Sequence, residues 1–215
     1  MKKFAVFLAG SGVYDGAEIH EATLTLLAIA KAGASYEIFA PDTLQYHVVN
    51  HITGEDMHEK RNVLVEAARI ARGVISPTSS FKAADFDALI FPGGFGAAKN
   101  LSTWAIEGDD CKVHPEVEKA VREMVAAKKP IGAMCISPVI LAKLIKGTNL
   151  TTGQDKPSAD FIEKMGSRYT PTTHGEVIID KERKIFTTPC YMLDATIVQI
   201  EQGTQNIVRE MMKLM

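Results

Sequence analysis

The chain has 215 residues, of which 46% are hydrophobic and 23% charged, and 24 basic side chains face 26 acidic ones for a net charge of −2. This profile is typical of a globular protein that buries a core, and we expect a single domain over residues 1–215. The charge excludes a nucleic-acid partner bound through phosphate neutralisation, and the longest uncharged stretch, Pro130–Ala142, is too short for a membrane span of ~20 residues.

Short apolar runs predict the strands. The first run, Phe4–Ala9, follows two lysines and weakly resembles a signal peptide, but it is short and has no cleavage-like tail, so it predicts a buried strand. The predicted strands are apolar on both faces, and they are Phe4–Ala9, Tyr36–Ala40, Ala88–Pro92 and Ile131–Met134. That pattern is typical of parallel strands covered by helices on each side.

Longer amphipathic patterns between these runs predict helices, namely Glu18–Ala32, Asn62–Arg72, His114–Ala127, Ser137–Ile145 and Thr204–Met215. Pro115 and Pro138 stand at first-turn positions, and Ser137 is a candidate N-cap. The β–α alternation predicts a doubly wound, mostly parallel sheet.

The segments Val177–Ile179 and Ile185–Thr188 predict a small hairpin or two edge strands that extend the sheet. Pro41–Glu59 and Trp104–His114 have no clear periodicity and are interpreted as loops. In open α/β sheets the ligand site lies beyond the carboxyl ends of the strands, so the residues just after each apolar run are the candidates for function.

The strongest chemical signal is the turn around Cys135, where a short strand ends and a helix opens two or three residues later. Ala133 and Ser137, two positions away on either side, are small, as a tight strand-to-helix turn requires. The pattern is a nucleophile elbow with cysteine in place of serine. The helix N-terminus predicts a lowered pKa for this thiol. A buried, inert cysteine is the alternative.

Glycines follow the strand Ala88–Pro92 at positions 93, 94 and 96, where backbone N–H groups can approach a ligand closely. The N–H groups of Gly94 and Ile136 are therefore candidates for holding a developing oxyanion. An ordinary tight turn is the alternative.

Two acids follow the first strand. Glu18 and Glu21 are three residues apart and share a helix face, so either can reach across the strand ends to Cys135 and carry protons. Acids in a first turn also simply complement the helix dipole, which is the structural alternative.

The combination of an early glutamate, a strand followed by Pro92-Gly93-Gly94, and Ala-x-Cys-x-Ser with proline next resembles the ThiJ/PfpI-like superfamily, which has the class I glutamine amidotransferase-like fold. Residues 10–16, 47–51, 62–73 and 92–101 are similar to its enhancing-lycopene-biosynthesis branch, the ElbB type. The resemblance covers nearly the whole chain. It implies a flavodoxin-like three-layer αβα sandwich and a homodimer.

The resemblance also implies roles for matching residues. The family nucleophile falls on Cys135, and the family acid falls on Glu21, with Glu18 as the fallback. The oxyanion contributors fall on Gly94 and Ile136. Further candidates for the pocket are Glu18, Gly93, Ser137 and Cys190. A histidine that many relatives carry one strand beyond the cysteine has no counterpart in residues 150–154.

The activity that the resemblance implies is a glyoxalase that needs no metal or other cofactor and converts small dicarbonyls such as glyoxal to hydroxy acids such as glycolate. Cys135 would add to the aldehyde as a hemithioacetal, and Glu21 would relay the proton between adjacent carbons. One alternative is a redox or stress sensor that uses an oxidisable Cys135. Another is an accessory protein of isoprenoid biosynthesis, although the chain has neither an aspartate-rich motif nor a phosphate loop.

The remaining cysteines and histidines give weaker signals. Cys111 follows acidic residues that raise a thiol pKa, and Cys190 is interpreted as packing. His174 and Glu176 resemble a glutamine amidotransferase motif, but 39 residues after Cys135 is too short a spacing. His47 and His51 suggest loop or interface residues rather than metal ligands.

Three cysteines do not make a disulfide framework, and we expect free thiols and a cytoplasmic location.

Overall fold

The fold is built on a seven-stranded sheet, and the computed structural model describes all 215 residues. The strands of the chain are β1 Lys3–Phe7, β2 Ser35–Ala40, β3 Ser76–Pro77, β4 Ala88–Phe91, β5 Ile131–Met134, β6 Asn149–Leu150, β7 Arg168–Tyr169, β8 Ile178–Asp180 and β9 Ile185–Thr188. The sheet order is β3-β2-β1-β4-β5-β9-β8, and β6 pairs with β7 in a separate two-stranded sheet. Only β8 runs antiparallel, in a hairpin with β9, so the predicted extension is confirmed.

The helices are α1 Ile19–Lys31, α2 Val63–Ile70, α3 Phe95–Lys99, α4 Trp104–Glu107, α5 Pro115–Ala126, α6 Pro138–Leu144, α7 Lys156–Lys164 and α8 Ile197–Met212. α1 packs against α8, α5 packs against α6, and β5 contacts both α5 and α8. The helices therefore cover both faces of the sheet, which confirms the predicted flavodoxin-like three-layer sandwich.

The central strands β4 and β5 are buried along their whole length, because helices cover both of their faces. The side chain of Phe7, at the end of β1, packs against three other rings, with centroid distances of 5.7 Å to Phe39, 5.2 Å to Phe81 and 5.4 Å to Phe91. Burying one phenylalanine contributes roughly 1.5–3 kcal/mol. This aromatic cluster fixes the point at which the chain leaves β1 for the loop that precedes α1.

The structure corrects several sequence predictions. Trp104–Glu107 is a helix inside a predicted loop, and β3, β6, β7, α3 and α7 were not predicted. Most of these are too short for periodicity to reveal. The last helix begins at Ile197, seven residues earlier than predicted, because Thr196 and Gln199 form a capping box there.

Candidate active site

Cys135 lies at a strained turn between β5 and α6. Its φ angle is +58°, in the left-handed region that residues other than glycine rarely adopt. The backbone N–H of Cys135 donates to the Thr188 carbonyl (3.1 Å), which fixes the turn to the end of β9. The Ser137 hydroxyl makes no N-cap bond, contrary to the prediction; it donates to the Pro92 carbonyl at 2.7 Å instead. The turn is thus held from both neighbouring strands, as a nucleophile elbow requires.

The glycines after β4 form the wall beside the sulfur. A Cβ atom at Gly93 would lie 2.8 Å from the Cys135 sulfur and 2.6 Å from a Glu21 carboxylate oxygen, so no larger residue fits there. Gly94 has a φ of +94°, and its Cβ position is blocked by the backbone before α1. The backbone N–H groups of Gly94 and Ile136 both act on the Cys135 sulfur and lower its pKa, so the two predicted amides converge on one atom.

Glu21 is the carboxyl that meets the sulfur. Its side chain is fully buried, and one of its carboxylate oxygens lies against Gly93 together with the Cys135 sulfur. One carboxylate oxygen accepts from the Gly93 N–H (2.9 Å), and the other accepts from the Tyr191 N–H (3.1 Å). Two different segments, the turn after β4 and the turn after β9, therefore hold this carboxyl in place.

Glu18 stabilises the start of α1. It is the N-cap of α1, and its carboxylate accepts from the Glu21 N–H at 2.7 Å. Its own N–H donates to the Gly93 carbonyl at 2.9 Å. Of the two acids that the sequence left open, the structure brings Glu21 to the sulfur.

Burial controls the protonation of the pair. Loss of solvent, and to a smaller extent the charge of Glu18, raise the pKa of Glu21 to about 8 even though the backbone N–H groups of Tyr191 and Gly93 lower it. Burial and the negative charge of Glu21 raise the pKa of the Cys135 thiol, which is 6% exposed. The predicted lowering of the thiol pKa is therefore wrong, because the amides of Gly94 and Ile136 do not offset the burial.

Tyr191, Cys190 and His20 belong to this region, and of the three only Cys190 is predicted from the sequence. Cys190 is buried with a φ of +44°, and its pKa is raised by burial first and then by the charges of Glu21 and Cys135. The His20 Nδ1 atom lies 2.8 Å from the Tyr191 phenol oxygen. The position of residues 190–191 just after β9 is the signal that points to them, because ligand sites gather at the carboxyl ends of parallel strands.

The other residues singled out in the sequence lie outside this arrangement. Glu176 accepts from the N–H and hydroxyl of Thr173 and makes no bond to His174, so the two do not form an amidotransferase dyad. His51 bonds to the Tyr14 N–H and the Val49 carbonyl within its loop. Cys111 is buried, and burial raises its pKa more than the neighbouring acids do.

Three broader features concern metal ions, membranes and disulfides. The structure contains no group of three or more His, Cys, Asp or Glu side chains that could hold a metal ion. None of its helices combines the length and apolarity that crossing a membrane takes. All three cysteines are unpaired.

Comparison with known families places this geometry in context. The model of the DJ-1/PfpI family matches residues 12–189. The chain is 44% identical to the rat protein "ES1 protein homolog, mitochondrial", over 99% of this chain and 84% of the relative. It is 43% identical to the human "glutamine amidotransferase-like class 1 domain-containing protein 3, mitochondrial", over 99% of this chain and 83% of the relative.

Solved structures give the same picture. An isoprenoid biosynthesis protein with an amidotransferase-like domain from Ehrlichia chaffeensis is 36% identical, covers 99% of this chain and 100% of its own, and has a TM-score of 0.92. Glyoxalase III from Candida albicans is 14% identical over 99% and 97% of the two chains, with a TM-score of 0.65, and so shares the fold alone.

These relatives correct the predicted location. The rat and human proteins are both named mitochondrial, so the prediction of a cytoplasmic location is wrong by this comparison. The prediction rested on unpaired cysteines, which indicate a reducing compartment without distinguishing one reducing compartment from another.

Proposed function

The chain belongs to the DJ-1/PfpI family, and from this premise we propose that it is a cofactor-independent glyoxalase that converts small dicarbonyls such as glyoxal to hydroxy acids. The observation that carries the proposal is that the Cys135 sulfur and the buried Glu21 carboxyl lie together against Gly93, with the amides of Gly94 and Ile136 acting on the same sulfur. A nucleophile, a proton carrier and two N–H donors are the groups that this reaction needs.

The reactive form of the site carries one proton, shared between the Cys135 sulfur and the Glu21 carboxyl. At neutral pH both Cys135 and Glu21 are protonated, because burial disfavours charge on either group. Loss of one proton leaves a thiolate beside a carboxylic acid, or a thiol beside a carboxylate, and the two forms differ only by a proton transfer between the groups. The thiolate form attacks the aldehyde.

The first half of the reaction forms a carbon–sulfur bond. The Cys135 thiolate attacks one aldehyde carbon of glyoxal, and the carbonyl oxygen takes up the proton of Glu21 as its charge develops. The product is a hemithioacetal beside a Glu21 carboxylate. The N–H groups of Gly94 and Ile136 stabilise negative charge during this step.

The second half moves a hydrogen between carbons. The Glu21 carboxylate removes the proton from the carbon that carries sulfur and returns a proton to the adjacent carbon through an enediol, so one carbon is oxidised while its neighbour is reduced. The resulting thioester is hydrolysed by water to glycolate and the free thiol. The sum is glyoxal plus water giving glycolate and a proton, and no outside oxidant or reductant enters.

Glycolate formation from glyoxal by the purified protein tests this proposal. We expect Cys135→Ala to abolish turnover and Glu21→Gln to lower it at least about 10²-fold, since a positioned acid–base group contributes roughly 10²–10⁴-fold. Cys111→Ala is the matched control, because this buried thiol lies outside the site and should leave turnover unchanged. Full turnover by Cys135→Ala would remove the mechanism.

The redox-sensing alternative has less support. Peroxide reacts with thiolates, and burial and the neighbouring Glu21 hold the Cys135 pKa above its ordinary value. A sensor would be oxidised stoichiometrically at Cys135 and would show negligible turnover of any dicarbonyl, so a peroxide titration beside the glycolate assay separates the two. A role in isoprenoid biosynthesis has in its favour only the name of the family branch that the chain resembles and the name of the Ehrlichia relative.

The assembly of the protein is a separate proposal. The family resemblance implies a homodimer, and symmetric dimers are the commonest soluble assembly. Light scattering on the purified protein should give twice the 23.4 kDa chain mass, and a monomer mass would contradict it.

A further inference from the structure

Two side chains that the proposed chemistry does not use, His20 and Tyr191, are joined at the rim of the site. The His20 Nδ1 atom lies 2.8 Å from the Tyr191 phenol oxygen, and the ring centroids are 5.9 Å apart. His20 directly precedes Glu21 on the first turn of α1, and the Tyr191 N–H binds the Glu21 carboxylate at 3.1 Å. Both residues are thus tied to the proposed proton carrier through the backbone.

The pair is more exposed than the buried groups beside it. Glu21 is 0% exposed and Cys135 is 6% exposed, whereas His20 is exposed and Tyr191 is half-buried. The titratable groups that act on the phenol are Glu18 and Glu21 from α1 and Cys190 from its own turn, and together with burial they raise the pKa of Tyr191. The phenol therefore lies within electrostatic reach of both carboxyl groups.

The two side chains are chemically suited to work as a unit. A phenol alone is a poor acceptor of protons at neutral pH, since its ordinary pKa is about 10. An imidazole titrates near 6.5, and a phenol that gives its proton to an imidazole can take one from water in the same step. The 2.8 Å separation of the two heteroatoms is a normal hydrogen bond and permits that transfer.

We propose that Tyr191 and His20 form a proton relay that activates water to hydrolyse a thioester on Cys135. The inference rests on the proposed function for the identity of the thioester. The water oxygen bonds to the thioester carbonyl carbon, a water proton passes to the phenol oxygen, and the phenol proton passes to His20 Nδ1. The tetrahedral intermediate then collapses with cleavage of the carbon–sulfur bond, which releases the carboxylic acid and leaves the Cys135 thiolate. The imidazolium returns its proton to the thiolate or to solvent.

An ester probe isolates this step from dicarbonyl chemistry. p-Nitrophenyl acetate should acetylate Cys135 with a burst of p-nitrophenolate, and the slower steady state then reports hydrolysis of the acetyl thioester, which intact-mass spectrometry follows directly. The test variants are His20→Gln and Tyr191→Phe, measured in the full-length protein. The matched controls are His58→Gln and Tyr46→Phe, which alter an exposed histidine and an exposed tyrosine of another loop.

We expect both test variants to keep the burst and to hydrolyse the acetyl thioester about 10²-fold more slowly, the low end of a general-base contribution. The loss should appear in the hydrolysis of the acetyl thioester alone, while the size of the burst stays that of the wild type. A residue that only supports the fold would lower the burst as well. The control variants should match the wild type in burst and in hydrolysis rate.

Each outcome decides a different point. Unchanged hydrolysis in His20→Gln and Tyr191→Phe overturns the relay and leaves the glyoxalase proposal standing. A relay effect on the acetyl thioester without glycolate formation from glyoxal supports the relay and overturns the proposed function. If neither reagent acylates Cys135, the thioester does not form and both proposals fall.

Discussion

Replacing Glu21 by glutamine should change how stability depends on pH. The carboxyl has a pKa of about 8 in the folded protein against an ordinary value of 4.5. Between these values the folded state keeps a proton that the unfolded chain has released, so the folded wild type loses stability as the pH rises. Glutamine does not titrate, so this loss is absent from the variant.

The size of the effect follows from the two pKa values. Linkage predicts that the free energy of unfolding of the wild type falls by about 4 kcal/mol between about pH 5 and pH 9. Most of the interval between the two pKa values of Glu21, 4.5 and about 8, lies in that range. Glutamine adds a constant penalty, since its NH₂ group replaces one of the two oxygens that accept from Gly93 and Tyr191. We therefore expect the free energy of unfolding of Glu21→Gln, relative to that of the wild type, to rise by about 4 kcal/mol from the low to the high end of this pH range.

Urea unfolding of both proteins at matched pH values, with a reductant present, measures this difference. Groups that residue 21 does not influence titrate alike in both proteins and cancel in the comparison. Cys135→Ser serves as a control, because it removes the thiol and keeps the buried carboxyl, so its stability should still fall with pH. A free-energy difference between wild type and Glu21→Gln that stays constant across the range would refute the account of a buried, protonated carboxyl.

Three further results should follow from the same structure. The kcat/KM for glyoxal should rise with pH towards a plateau above about 8, because the first proton must leave the pair before attack; a rate that is flat across that range would contradict this protonation scheme. Ser137→Ala should lower the free energy of unfolding in urea by roughly 1–3 kcal/mol, since the buried Pro92 carbonyl loses its 2.7 Å hydrogen bond. An unchanged free energy of unfolding would show that this hydrogen bond does not stabilise the turn. Thr196→Ala should cost about 1 kcal/mol by removing the capping box of α8 while leaving the iodoacetamide reactivity of Cys135 unchanged.

The parallel sheet and the position of the nucleophile could be predicted from the sequence for local reasons. Runs that are apolar on both faces leave no solvent side, which forces helices onto each face, and Ile131–Met134 was predicted with the bounds that the structure has. A cysteine between a strand and a proline-initiated helix is likewise a local pattern. Short elements such as α3 and β3 carry too few residues for a period to emerge.

The chain order by itself determined which residues stand at the ends of strands, and this was enough to select Cys135, Gly94, Ile136 and two acids. Only the tertiary structure decided between Glu18 and Glu21, because the two stand three residues apart at the start of α1, and the difference is which carboxyl the N–H groups of Gly93 and Tyr191 hold. It also reversed the sign of the thiol pKa shift, since the sequence reveals a helix N-terminus but not how completely the surrounding layers exclude water. Burial is a property of the packed layers together, and no single segment of the sequence encodes it.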